Sequence, residues 1–124
     1  MIEIEVDNRS GVDVDETSVC ELARRVLAGE GIDSGELGIA FVGADESRAL
    51  KSEHLGIDEA TDALAFPIDS RDALPEGLPR QLGDVVICPQ VVGEAWRAPL
   101  VHALLHLLGY DHGDAMESQE ALYA

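Results

Sequence analysis

The segment Pro99 to His112, PLVHALLHLLGYDH, carries three of the four histidines in the chain. His102 and His106 are four residues apart, so on a helix they stack on one face about a turn from each other. Both imidazoles can then reach one ion at roughly 2.0–2.1 Å. Gly109 lies three residues past His106. A glycine there permits a left-handed turn that stops the helix, so the chain can double back and bring His112 to the same ion. Three neutral nitrogen donors suit zinc first, and also copper, nickel or iron. They leave a fourth tetrahedral position open, which marks a catalytic rather than a structural zinc site. Such an ion lowers the pKa of a bound water and polarises a substrate oxygen. Leu104, Leu105, Leu107 and Leu108 make this a core helix, in which three unpaired histidines would carry a burial cost that a metal removes. His54 stands alone near the end of a polar helix and reads as a surface residue.

The spacing overlaps HExxHxxGxxH of the metzincin proteases, with Ala103 in place of the glutamate that serves there as general base. Without it the water loses its proton acceptor, which argues against ordinary peptide hydrolysis. Asp111, beside the third histidine, is the nearest carboxylate. It reads equally as a substitute catalytic base or as a turn residue that orients a histidine.

The elements that must position these groups follow from periodicity. Residues 2–7, IEIEVD, alternate apolar and acidic as a half-buried strand does, and Asn8 to Gly11 read as a turn. Asp13 or Asp15 caps a helix starting near Glu16, along which Val19, Leu22, Ala23, Val26 and Leu27 recur at helical spacing until Gly29 or Gly31. Residues 36–43 read as a second strand, and Asp45 caps a short helix over Glu46 to His54. Residues 63–68 form a third strand cut by Pro67. Asp69 to Gly83 read as an irregular loop, and 84–88 as a fourth strand stopped by Pro89. A helical turn or two covers Gln90 to Trp96. Pro99 fits the first position of the histidine helix, which ends at Gly109, and Asp114 caps a last helix to Tyr123. The expectation is one α/β (α+β) domain over 1–124, with helices packed on one small sheet.

Composition sets the outer bounds. Hydrophobic residues make up 46% of the 124, enough for a modest core. No stretch approaches a membrane span, and the acidic start MIEIEVDNRS lacks the form of a signal peptide, so a cytoplasmic protein is expected. Cys20 and Cys88 each sit in an apolar run without a CxxC partner, and read as buried thiols with no disulfide partner. The formal charge of −17, with Lys51 the only lysine, repels phosphate backbones at long range. A nucleic-acid partner would need a local basic patch or a bound metal to offset that field.

LVHALLHLLGYDH resembles HGxLHLxGYDH, the signature of the YbeY-type ribosomal RNA maturation factors. Thr61 to Ile68, TDALAFPI, is similar to that family's TDVLSFP segment, and Leu82 to Val92, LGDVVICPQVV, to its LGDIVIC strand and the helix start after it. The likeness runs from about Leu37 to the C-terminus. It implies a four-stranded mixed sheet with a zinc site at one end of a cleft, the ligands carrying over onto His102, His106 and His112. It implies a single-strand-specific endoribonuclease in small-subunit ribosomal RNA maturation and ribosome quality control. The partners would be single-stranded rRNA or the ribosomal small subunit. The family's Y-R-G arginine falls on Leu55, and the serine of LSF on Ala65. Leucine cannot meet a phosphate, and Arg48 and Lys51 are the cations one or two turns earlier. The connection from Gln90 to His102 is short and the last helix brief.

Three functions compete at this level: a metal-dependent RNA hydrolase, a metzincin-like metallopeptidase, and a non-catalytic, zinc-stabilised ribosome-biogenesis binding module. Arg48, Lys51, Arg71, Arg80 and Arg97 discriminate among them. Clustering about the metal cleft favours RNA, and scatter favours the other two.

Overall fold

A computed structural model describes residues 2–55, 63–69, 75, 77–93, 95–110 and 114–123, without the side chains of 53–55 and 114. The elements are β1 (Ile2–Asn8), α1 (Glu16–Gly29), β2 (Gly35–Phe41), α2 (Ala44–Leu55), β3 (Ala63–Pro67), β4 (Gln81–Ile87), α3 (Pro89–Val92), α4 (Arg97–Leu107) and α5 (Asp114–Tyr123). The four strands form one mixed sheet in the order β1-β2-β4-β3. The β1–β2 and β2–β4 pairs are parallel, and β3 runs antiparallel to β4. The expected α/β class with a four-stranded mixed sheet is what is found.

Alternation on β1 sends Ile2, Ile4 and Val6 to one face and Glu3, Glu5 and Asp7 to the other. Register extends the apolar face across the sheet. Ile4 stands beside Leu37 and Leu37 beside Gly83; Val6 stands beside Ile39 and Ile39 beside Val85. This face carries α1 and α4, against which α5 packs, and the core forms between them. On α1, Val19, Leu22, Ala23, Val26 and Leu27 are buried as their spacing requires. Asp15 is its cap, accepting from the Ser18 backbone N–H at 3.1 Å and from the Ser18 hydroxyl at 2.7 Å.

Several boundaries differ from the sequence reading by a residue or two, and four differences have a physical reason. Asp45 is not the cap of α2 but lies in its first turn, and the free N–H of Ala44 donates instead to Gln90 Oε1 at 2.9 Å. A cap supplied from α3 has no local signal. The fourth strand begins at Gln81, inside the expected loop, because Gly83 is held in the strand at φ +135° and does not end it. Between Gln90 and Trp96 only the first residues are helical, since Gly93, at φ +58°, closes α3 after Val92. Finally, α4 starts at Arg97, so Pro99 sits third in the helix, still in the first turn where no intrahelical bond is lost. Cys88 is buried as expected, Cys20 only partly, and both are free thiols. No helix among the described residues is long and apolar enough to cross a membrane.

Candidate metal centre

Helix α4 is a core helix with a single open stripe. Leu100, Val101, Ala103, Leu104, Leu105 and Leu107 are buried, whereas His102 and His106 are half-buried. One helical turn separates the two rings, and they meet edge to face, with centroids 4.7 Å apart and planes at 80°. The two rings thus share one face of the helix, as their spacing predicts. Contrary to the expected burial cost, neither ring is enclosed, and His102 Nδ1 lies 2.9 Å from Glu120 Oε1 on α5.

The stop after α4 is a Schellman turn. Gly109 takes φ +100°, its N–H donates to the His106 carbonyl oxygen at 3.0 Å, and the Tyr110 N–H donates to that of Leu105 at 3.0 Å. The glycine thus reverses the chain directly past His106, as expected. Asp111 and His112 lie outside the described residues. So do Thr61 and Asp62 of the TDALAFPI stretch, Arg71, and the side chains of His54 and Leu55. Among the described residues no group of three His, Cys, Asp or Glu side chains could hold a metal ion. His102 and His106 supply two imidazole donors on one solvent-open face, a donor set that fits a divalent transition metal.

The reversal is anchored at Tyr110. Its hydroxyl donates to Glu30 Oε1 at 2.7 Å, 80 residues earlier at the end of α1. Glu30 is only 7% exposed. Its other oxygen accepts from Gln119 Nε2 at 2.6 Å and from the Tyr123 hydroxyl at 2.7 Å, both on α5. A buried carboxylate is tolerable with three donors around it. Burial, then the neighbouring Glu30 carboxylate, pushes the Tyr123 hydroxyl up to about 12. Gly29 leaves room for this packing, because a Cβ there would run into the Tyr123 ring. Sequence reasoning missed both Glu30 and Glu120. Glu30 reads as the tail of a helix, and Glu120 as one more carboxylate on a polar helix. Only the docking of α5 reveals them.

The described cations among the five lie on different elements. Arg97 stacks over the Trp96 ring at 4.5 Å, at the far end of α4 from His106. Arg80 precedes β4, and Arg48 and Lys51 lie on α2. Ala103 is 2% exposed and belongs to the core, and its methyl group cannot accept a proton. Ala65 on β3 pairs with Val85.

The profile of the family described as Endoribonuclease YbeY matches residues 4–122. The chain is 43% identical over 104 residues to Endoribonuclease YbeY of Tropheryma whipplei, a match that covers 72% of this chain and 59% of the relative. The same-named protein of Mycobacterium marinum is 34% identical over 134 residues, covering 94% and 75% of the two chains. That of Salinispora tropica is 36% identical over 137 residues, covering 94% and 87%. In three dimensions the chain resembles the solution structure of TM1509 from Thermotoga maritima, with a TM-score of 0.58 and 24% identity over 99% of this chain and 86% of the other. That likeness is one of fold. Matched along nearly its whole length, the chain belongs to the endoribonuclease YbeY family.

Proposed function

We propose that this chain is a metal-dependent endoribonuclease that cuts single-stranded RNA, acting in small-subunit ribosomal RNA maturation and ribosome quality control in the cytoplasm. The observation that carries the metal reading is the juxtaposition of His102 and His106 on the one open stripe of a core helix, followed directly by the Gly109 reversal. The nuclease reading rests on the relatives' name. His102, His106 and His112 would hold one zinc ion. When bound, such an ion supplies positive charge for a phosphate oxygen and activates water. The chain's own residues do the rest. The two imidazoles present their rings to the same side of α4, and Glu30 ties α5 and the turn after α4 to the end of α1. Asp111 is the candidate proton acceptor. With a formal charge of −17 and the described cations spread over several elements, RNA capture depends on the metal more than on lysine and arginine.

The test is cleavage of single-stranded ribosomal RNA by zinc-loaded protein beside a His106→Ala control, after measuring metal content. Cleavage lost in the variant supports the reading; equal cleavage by both removes it. The competitor weighed beside it is the zinc-stabilised binding module. Zinc that raises the melting temperature while RNA stays intact would select it. Alanine at 103, which has no carboxylate to accept a proton from water, counts against the metallopeptidase.

A further inference from the structure

Resting on the metal site proposed above, we infer that Glu120 is a positioning residue, which holds His102 in one tautomer and so aims its Nε2 at the ion. A neutral imidazole carries its proton on one of two nitrogens, and a carboxylate only accepts. Glu120 Oε1 lies 2.9 Å from His102 Nδ1, so the proton belongs on Nδ1 and the ligating lone pair on Nε2.

Two further observations separate this from a chance surface contact. The first is that α5 is a fixed platform. Met116 is 1% exposed and Tyr123 8%, Gln119 and Tyr123 are bonded to the buried Glu30, and Arg25 Nη2 donates to the Tyr123 carbonyl oxygen at 2.7 Å. Glu120 is next in sequence to Gln119, so its backbone is set by that network. The second is energetic. The side chains of His102 and Glu120 are 36% and 35% exposed, and a polar contact so open to water adds little to folding stability. A contact held on a rigid platform yet nearly worthless to the fold has its use in orienting the ring. A carboxylate behind a metal-bound imidazole also raises its basicity, and losing such a partner costs about 10- to 100-fold in metal affinity.

The experiment compares the full chain with Glu120→Ala and Glu120→Gln. The amide oxygen of the glutamine can still accept from Nδ1–H. Three quantities are read: zinc affinity by competition with a chromophoric chelator, the metal-free melting temperature, and the His102 tautomer in metal-free protein by long-range proton–nitrogen NMR. The expected result is Nδ1–H in the parent protein and a loss of that preference in Glu120→Ala. Zinc affinity should fall about 10- to 100-fold in Glu120→Ala and much less in Glu120→Gln, with both melting temperatures close to the parent's. Unchanged zinc affinity in Glu120→Ala, while the parent binds zinc, would overturn the role of Glu120 and leave the metal site standing. A fall matched by an equal loss of metal-free stability would make Glu120 merely structural and overturn the role too. A parent chain that binds no zinc would remove the metal site itself.

Discussion

Replacing Gly83 by alanine tests how closely the histidine helix rides on the sheet. Gly83 stands in β4 at φ +135°, a conformation that side-chain-bearing residues rarely adopt. A Cβ built there would collide with the Phe66 carbonyl oxygen, and would lie 2.8 Å from Leu107 Cδ1 and 2.9 Å from Pro67 Cα. The leucine can rotate away, but the other two atoms are backbone of β3 and cannot. Overpacking of this kind costs about 1–3 kcal/mol. The forced backbone angle adds about 1–3 kcal/mol. A combined loss of about 4 kcal/mol is expected, which lowers the melting temperature by about 15 °C in a domain of this size. Circular dichroism during thermal and urea unfolding reads it directly. Adding Leu107→Ala removes only the side-chain part of the clash, so the two changes should couple and recover a fraction of the loss. A Gly83→Ala melting temperature within about 3 °C of the parent's would refute the claim that α4 and β3 leave no space here.

Other consequences follow from the same packing. Leu104 is fully buried between α4 and the sheet, and Leu104→Ala should cost about 2–5 kcal/mol in urea unfolding. Tyr123→Phe removes one of the three donors to the buried Glu30 and should cost about 1–3 kcal/mol, read the same way. Because burial and then Glu30 raise the Tyr123 hydroxyl from 10.0 to about 12, its contribution is complete below pH 10 and disappears as pH climbs through 12. Melting temperatures across that window should fall more steeply in the parent than in Tyr123→Phe. Asp15 is held below its usual 3.8 by the Ser18 side chain and then the Ser18 N–H, so its cap acts above that pH and is lost as acid protonates it. Asp15→Ala should melt lower than the parent at neutral pH and lose less on acidification.

What could be read from residues alone was whatever a local pattern encodes. The alternation of IEIEVD, the spacing of Val19 to Leu27 after Asp15, and Gly109 past His106 each name their element, because the physics involved spans a turn or two of chain. Gln90 capping α2 and Glu30 gathering Tyr110, Gln119 and Tyr123 span 46 to 93 residues, and no window of sequence contains them. Gly83 misled for a related reason. A glycine usually breaks a strand, and what keeps it inside β4 is the closeness of Leu107 and of β3, which exists only after folding. For the site, the pairing of His102 with His106 was legible, while the partner of His102 was not.

The order of strands leaves β1 and β3 at the two margins of the sheet. Their outer backbone groups would template another copy of the chain, the first step toward fibrils. On β1 the alternation that builds the core also sets Glu3, Glu5 and Asp7 in a row on the opposite surface. A second copy pairing there in register would stack like charges about 4.8 Å apart. On the other side β3 is five residues long and ends in Pro67, which offers no N–H. The acidic row would oppose pairing of two copies through β1, and strong acid or high salt would weaken that repulsion.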